Sequence, residues 1–283
     1  MQIERITNNN QETALKFLNK YEDSAVFLIG NLERMGPDIG ESQFSGNFKM
    51  VLDEDKIIAV FCLTKGGTLL VQSEVVDPLF KLILKSCEEE KIPIKGLIGE
   101  WAFGSLFWEH LKSIGVIKKE NYFCKEVNYT LNLKEWKGHP SLKARALSLE
   151  DYQDWKLLRM DYLEEQGLPT SLSEKERVYE YGNKVKNSLV WGLFEENRLL
   201  SIAEINAKTN QIGTVGGVYT VESERKKGHG RALMNRLIHD CKENLQLRKL
   251  IIFTGEKENI PAQKLYESLG CQKVGHLALC FGE

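Results

Sequence analysis

The chain of 283 residues is long enough for two domains of ordinary size, and an apolar content of 42% supplies each with a core. Its 38 Lys and Arg residues nearly balance 40 Asp and Glu residues, and the net charge of −2 argues against a protein that coats nucleic acid. The sequence has no run of about 18 apolar residues and no leader-like start, which predicts a cytoplasmic protein without membrane spans.

The six cysteines and five histidines do not form a metal-binding pattern. A zinc site usually needs two cysteines or two histidines about two to four residues apart, and the sequence has neither arrangement and no HExxH motif. We therefore expect no metal and reduced thiols in the core. The cysteines are Cys62, Cys87, Cys124, Cys241, Cys271 and Cys280.

Hydrophobic periodicity predicts alternating strands and helices in the first half of the chain. The predicted strands are residues 2–6, 48–52, 57–63, 69–72, 94–99 and 122–133, and the predicted helices are residues 11–32, 78–90 and 103–114. A stretch with Gly138 and Pro140 comes next and is typical of a linker. It divides the chain into predicted domains at residues 1–135 and 140–283.

The second half repeats this order. The predicted strands are residues 143–147, 189–195, 199–206, 213–221 and 249–254, followed by one or two antiparallel strands over residues 272–281. The predicted helices are residues 149–166, part of 168–187, 230–244 and 259–270. The last of these helices has an N-capping Asn259, an early Pro261 and a final Gly270. The expected fold class is α/β, with a twisted, mostly antiparallel mixed sheet flanked by helices in each half.

A glycine-containing turn between the strand at 213–221 and the helix at 230–244 predicts a phosphate site. Gly228 and Gly230 carry no side chains that would keep an anion from the backbone, and the first turn of the helix has unpaired N–H groups and a positive dipole end. The corresponding segment of the first half, residues 73–77, contains two acids and no glycine. We expect only the second half to bind a phosphate group.

A dinucleotide-binding fold is a weaker interpretation of the same glycines. Leu233 stands where the third glycine of that fingerprint belongs, and the preceding strands are linked as hairpins instead of a βαβ unit. A nicotinamide-dependent oxidoreductase is therefore disfavoured.

The residues around this turn resemble the GNAT acetyltransferase superfamily. Residues 225–230 fit its (Gln/Arg)-x-x-Gly-x-(Gly/Ala) signature, and residues 216–220 look like its central strand. Residues 259–271 resemble its Asn-x-x-Ala-x-x-Leu-Tyr-x-x-Leu-Gly-Phe segment, with Cys271 in place of the usual aromatic residue. The resemblance covers residues 143–283. Over residues 1–135 it rests on element order, which suggests a tandem protein with a degenerate first copy.

The resemblance implies acetyl-coenzyme A as the donor, a small-molecule or peptide amine as the acceptor, direct transfer and no metal. The backbone N–H groups of residues 217–219 would polarise the thioester carbonyl, and Arg225 or Lys227 could pair with a pyrophosphate oxygen. The implied donor-binding residues are Val218, Tyr219, Thr220, Arg225, Lys226, Lys227, Gly228, His229, Gly230, Arg231, Ala232, Asn259, Ala262 and Lys264.

Two proton transfers need side chains. Tyr266, by its position in the resemblance, would protonate the departing thiolate, and Glu204 is the candidate base for the acceptor ammonium. Glu164 or Glu165 could instead bind a cationic acceptor. A non-catalytic coenzyme A-binding scaffold is the alternative function. The identity of the acceptor amine stays open, and the chain could pair with a second copy of itself.

Overall fold

The computed structural model describes residues 1–77, 79–168 and 172–283. They divide into two units, and each unit is described by itself. The first comprises residues 1–128, 254–258 and 274–283, and the second comprises residues 129–253 and 259–273.

The first unit contains a sheet with helices on its faces. Its elements are β1 (Gln2–Arg5), α1 (Gln11–Leu18), α2 (Glu22–Met35), β2 (Gly46–Asp53), β3 (Lys56–Thr64), β4 (Thr68–Ser73), α3 (Leu79–Glu88), β5 (Gly96–Glu100), α4 (Trp101–Ser113), the first part of β6 (Glu120–Asn132) and most of β12 (Gln272–Gly282). The strand order β1-β2-β3-β4-β5-β12 is antiparallel except for the parallel pair β4 and β5.

Both faces of this sheet are buried. Along β3, Val60 and Cys62 belong to a core cluster that includes Phe17 and Ile29, whereas Phe61 belongs to a second cluster that includes Phe107. Side chains of a strand alternate between the two faces, so β3 contributes to both clusters. Because both faces of the sheet are buried, β3 is apolar along most of its length.

The connection between β4 and α3 carries a carboxylate where a phosphate loop would need N–H donors. Glu74 accepts a hydrogen bond from the Tyr21 hydroxyl at 2.7 Å and forms an ion pair with Lys56 at 2.6 Å. Pro78, the first residue of the predicted helix 78–90, lies outside the described residues.

The second unit has the same kind of architecture. Its elements are the end of β6, β7 (Ala144–Ala146), α5 (Tyr152–Glu165), α6 (Glu174–Lys186), β8 (Val190–Glu195), β9 (Arg198–Lys208), β10 (Ile212–Thr220), α7 (His229–Glu243), most of β11 (Lys249–Gly255) and α8 (Ile260–Ser268). The strand order is β11-β10-β9-β8-β7, with β10 and β11 parallel and the other pairs antiparallel.

Helix α7 is fixed to the sheet by a buried acid. Asp240 accepts hydrogen bonds from Trp191 Nε1 at 2.9 Å, Arg236 Nε at 2.8 Å and Asn244 Nδ2 at 3.1 Å. Because three donors satisfy this carboxylate, its burial does not leave an uncompensated charge. The helix is thereby held in a fixed position on β8.

Most predicted elements are present, with a few differences. The predicted helix at 11–32 is interrupted by a 3-10 turn at Asn19–Tyr21, and the stretch 168–187 contains α6, with residues 169–171 outside the described residues. The predicted domain at 140–283 differs from the second unit, which also includes residues 129–139 and lacks residues 254–258 and 274–283. Residues 274–283 belong to the first unit because β12 pairs with β5 through residues 277–281.

All six cysteines are free and buried, as their apolar sequence contexts predicted. Among the described residues, no helix combines the length and apolar character that crossing a membrane requires.

Candidate active site

Strand β10 contains a β-bulge at residues 217 and 218. Gly216 lies opposite Glu204 of β9, and Tyr219 lies opposite Ile202, so two residues of β10 face one residue of β9 between these pairs. Gly217 has a φ of +58°, in the left-handed region that favours glycine. The bulge therefore depends on the glycine that the sequence places there.

Strands β10 and β11 separate at the same place. Their parallel pairing runs from Ile212 and Lys249 to Val215 and Ile252, and no further pair follows in the part of the chain that the structure describes. One edge of residues 216–220 is therefore without a partner strand. Backbone N–H groups on such an edge can donate to a carbonyl oxygen and stabilise a developing oxyanion.

The turn after β10 ends in an open helix N-terminus. Gly228 is the N-cap of α7 with a φ of +87°, and a Cβ added to it would meet no heavy atom within 4 Å. The Ala232 N–H donates to the Gly228 carbonyl at 3.0 Å. The N–H groups before Ala232 therefore point out of the helix end, where an anion can accept them.

Gly230 lies between two neighbouring elements. A Cβ added there would be 3.4 Å from Leu265 Cδ2 of α8 and 3.7 Å from Thr220 Oγ1 at the end of β10. A single Cβ would therefore make ordinary van der Waals contact, and a longer side chain would be crowded by α8 and the end of β10.

Arg225 is engaged within the protein. Its Nε donates to the Thr220 carbonyl at 3.0 Å, its Nη2 binds the Glu165 carboxylate, and its guanidinium lies 5.4 Å from the centre of the Tyr219 ring. The hydrogen bond to Glu165 raises the pKa of Arg225. These contacts hold the turn against the end of α5, and they give Glu165 a role other than acceptor binding.

Lys227 and His229 flank a carboxylate in the same turn. Lys227 Nζ lies 2.7 Å from Glu224 Oε2, and this hydrogen bond lowers the pKa of Glu224. His229 is buried, its Nε2 is 3.7 Å from the same carboxylate, and this nitrogen has no hydrogen-bond partner among the described residues. A phosphate oxygen in front of α7 could be that partner.

Helix α8 carries the predicted acid. Asn259 Oδ1 accepts the Ala262 N–H at 3.4 Å, which confirms the predicted N-cap. Tyr266 is 4% exposed, and its ring packs against Tyr129, with ring centres 6.1 Å apart. Lys264 is exposed on the same helix.

A cleft of about 480 Å³ lies beside Arg231 and the C-terminal end of α8. Its walls include Trp136, Arg231, Asn235 and Ser268, and Arg231 Nη1 donates to the Ser268 carbonyl at 3.4 Å. The cleft is large enough for part of a cofactor.

Glu204 is a buried carboxylate next to the bulge, and two half-buried cations pair with it. It is 2% exposed, and its carboxylate is 2.8 Å from Lys184 Nζ and 3.3 Å from Arg159 Nη1. A Cβ added to Gly217 would be 3.1 Å from Glu204 Oε1 and 2.9 Å from Arg159 Nη1. The cluster is therefore adjacent to the bulge.

The cations determine the protonation of Glu204. Burial alone would raise its pKa, but the charges of Arg159 and Lys184 outweigh that effect and hold the pKa of Glu204 below its usual range. A carboxylate with a lowered pKa is a weak proton acceptor. The electrostatics thus weaken the predicted role of Glu204 as a base.

Three charged residues of this site were not predicted from the sequence. Arg159 of α5 and Lys184 of α6 contact Glu204, and half-buried Glu180 lies one turn before Lys184. Burial raises the pKa of Glu180, and the charge of Lys184 opposes this only in part. The available signal was Glu204 itself, because an acid buried in an apolar strand requires cationic or hydrogen-bonding partners.

Comparison with known proteins gives a family match within the second half of the chain. Residues 152–271 match the Acetyltransferase (GNAT) family. These residues form a GNAT acetyltransferase domain. The protein is accordingly an acyltransferase, and this family takes its acyl group from acetyl-coenzyme A. No curated protein matches the sequence significantly.

Solved structures resemble the whole chain, not only the GNAT domain. A GCN5-related N-acetyltransferase from Sphaerobacter thermophilus is 14% identical, with a TM-score of 0.62 over 99% of this chain and 94% of that one. An acetyltransferase of the GNAT family from Colwellia psychrerythraea is 14% identical, with a TM-score of 0.55 over 100% of both chains. A tandem GNAT protein from the clavulanic acid biosynthesis pathway is 12% identical, with a TM-score of 0.54 over 99% and 97%. At these identities the likeness shows the fold, which is GNAT-like in both units.

Proposed function

We propose that the second unit is an N-acetyltransferase that moves an acetyl group from acetyl-coenzyme A directly to an amine. The main support for this proposal is that one strand–turn–helix segment contains both the bulge at residues 217 and 218 and the open N-terminus of α7. The first offers N–H groups to a thioester carbonyl, and the second offers N–H groups to a pyrophosphate. One extended donor can use both.

The donor would be held mainly by backbone groups. Its pyrophosphate accepts N–H groups at Gly228, Gly230 and Arg231, with His229 Nε2 as an additional partner. Arg225 supports the turn from behind, because Glu165 and the Thr220 carbonyl occupy its guanidinium. The remaining implied residues line the path of the donor: Val218, Tyr219, Thr220, Lys226, Lys227, Ala232, Asn259, Ala262 and Lys264.

Transfer then proceeds in two steps. A neutral amine nitrogen attacks the thioester carbon, forming the C–N bond, while N–H groups of residues 217–219 stabilise the oxyanion. The attacking nitrogen then gives its extra proton to solvent. Collapse of this intermediate breaks the C–S bond and releases a thiolate, whose pKa is about 8.5 for a simple thiol. We assign the proton that the sulfur receives to the Tyr266 hydroxyl.

The acceptor must lose a proton before it attacks. Glu204 lies next to the bulge, but its ion pairs with Arg159 and Lys184 make it a poor base. We assign it a structural role in the site. Glu180, which is half-buried one turn before Lys184 and has a pKa raised by burial, is a second candidate base. A pH–rate profile that keeps its acidic limb in Glu180→Gln would contradict this role.

Calorimetric titration with acetyl-coenzyme A tests donor binding. We expect binding in the micromolar range, about 8 kcal/mol, that Gly230→Asp abolishes because a carboxylate then occupies the front of α7. Gly40→Asp is the matched control: its added Cβ meets Ser45 only at 3.7 Å, and Gly40 lies in the first unit. Absence of heat at millimolar donor, or unchanged affinity in Gly230→Asp, would overturn the proposal.

Thiol release with a panel of amines separates an enzyme from a non-catalytic binder. Amino acids, amino sugars, polyamines and peptide N-termini cover the main acceptor classes. We expect release with one of these classes and none without an acceptor. Donor binding without turnover on any of them would favour the scaffold function.

A further inference from the structure

The cleft beside the end of α8 lies entirely within the second unit. Its volume of about 480 Å³ is within the range of small-ligand sites. Its wall includes residues of three parts of the chain: the segment 130–138, the first two turns of α7 and the end of α8. A molecule in this cleft would therefore contact the helix that begins at the proposed phosphate site.

One wall of the cleft is held by tight packing around Trp136. A Cβ added to Gly138 would overlap the Trp136 ring, so the backbone at this position packs directly against the indole. The preceding turn is fixed as well, because Asn132 Oδ1 accepts the Lys134 N–H at 3.1 Å and Asn132 Nδ2 donates to Glu135 Oε1 at 2.8 Å. This wall is therefore formed before any ligand arrives.

The wall carries cations that no carboxylate neutralises. Lys137 is exposed, and its side chain has no hydrogen bond or ion pair with the described residues. The exposed Arg231 side chain donates one hydrogen bond, to the Ser268 carbonyl at 3.4 Å. Glu135 is the one carboxylate among the described lining residues, and it accepts from Asn132. An anionic group can therefore bind two accessible cations without displacing an ion pair.

The cleft begins next to the proposed pyrophosphate site. Arg231 directly follows Gly230 in the first turn of α7, and Asn235 lines the cleft one turn further along the helix. The side-chain amide of Asn235 has no hydrogen-bond partner among the described residues. In coenzyme A, the pyrophosphate continues into an adenosine that carries a 3′-phosphate. A donor whose pyrophosphate lies in front of α7 can therefore extend into the cleft with the rest of its nucleotide.

We infer that the cleft binds the 3′-phosphorylated adenosine of the donor. The 3′-phosphate pairs with Arg231 and Lys137, Asn235 supplies an amide for the nucleoside, and the adenosine lies along Trp136. This assignment rests on the proposed function, since it places a second part of the same donor. The nucleotide takes no part in the acyl transfer, so the cleft contributes to donor affinity and not to the chemical step.

Calorimetric titration with acetyl-coenzyme A and with acetyl-dephospho-coenzyme A, which lacks the 3′-phosphate, tests the cleft. Both compounds keep the pyrophosphate, so the ratio of their dissociation constants isolates the 3′-phosphate. We expect the unmodified protein to bind acetyl-coenzyme A about tenfold more tightly. Lys137→Gln and Arg231→Gln should each reduce this ratio to about threefold or less, because each removes a partner of the 3′-phosphate.

Lys134→Gln is the matched control. It removes the same charge from an exposed position of the same segment, but Lys134 is not among the described residues that line the cleft. We expect this variant to keep the ratio near tenfold. Equal affinity of the unmodified protein for the two compounds, or the same ratio in Lys137→Gln and Lys134→Gln, would overturn the inference and leave the proposed function intact.

Adenosine 3′,5′-bisphosphate separates the cleft from the rest of the donor site. We expect it to bind with a dissociation constant of about 1 mM or tighter, and more weakly to Lys137→Gln than to Lys134→Gln. This result without any binding of acetyl-coenzyme A would contradict the proposed function and support a nucleotide site in the cleft. Absence of bisphosphate binding at tens of millimolar would overturn the inference.

Discussion

In the proposed mechanism the Tyr266 hydroxyl protonates the departing thiolate. We expect Tyr266→Phe to lower kcat roughly 100-fold, because the donated proton is lost. Donor affinity should be nearly unchanged, since the ring is 4% exposed and keeps its packing against Tyr129. Thiol release under steady-state conditions gives kcat, and calorimetry gives the donor affinity.

A neighbouring tyrosine provides the control for this prediction. The Tyr129 hydroxyl donates to Glu267 Oε1 at 2.8 Å, so that Tyr129→Phe removes a hydroxyl from the same aromatic pair. We expect its kcat to stay close to that of the unmodified protein. Equal losses in the two variants would mean that packing, and not proton donation, explains the effect.

Three elements meet at Glu204: its own strand β9, α5 through Arg159 and α6 through Lys184. Glu204→Gln removes the carboxylate that pairs with both cations. We expect the free energy of unfolding at pH 7 to fall by about 3–5 kcal/mol. Urea unfolding measures this difference. Glu195→Gln on neighbouring β8 removes an exposed ion pair with Lys143 and should change stability far less.

The same cluster gives stability a defined pH dependence. The pKa of Glu204 is lower in the folded protein than the value of about 4.3 for an unfolded chain, so the unfolded state binds more protons in acid. The contribution of Glu204 is complete above that value and is lost as the pH falls through the folded-state pKa. The difference between the unmodified protein and Glu204→Gln should therefore shrink below about pH 4. A constant difference across this range would contradict the pairing.

Local patterns predicted those elements whose signals lie within a few residues of the chain. The capped helix α8 and the glycine turn before α7 are examples, because Asn259, Gly228 and Gly230 act on adjacent backbone. The bulge in β10 could not be predicted from the local sequence, because a shift of register depends on the partner strand. The pairing of Arg159 and Lys184 with Glu204 could not be predicted, because the sequence of a helix does not show which residues its charged side chains contact.

For the whole molecule, the main finding is the place of the last strand. β12 pairs with β5, and Ala278 and Cys280 lie fully buried in a core cluster that also contains Phe61 and Phe107 of the first unit. The side-chain pattern of β12 predicted a strand but not the sheet that it joins, because pairing between distant segments is not encoded in local periodicity. A division at residues 1–135 therefore removes a strand from the first unit.

Ala278→Asp tests this assignment. A carboxylate at a fully buried core position should destabilise the first unit by several kcal/mol. Hydrogen exchange should then increase in β3 and β4, which lie far from Ala278 in sequence and in the same unit. Val274→Asp, on the same strand but 46% exposed, should leave exchange in β3 and β4 close to normal. Increased exchange confined to β8 and β9 would instead assign β12 to the core of the second unit.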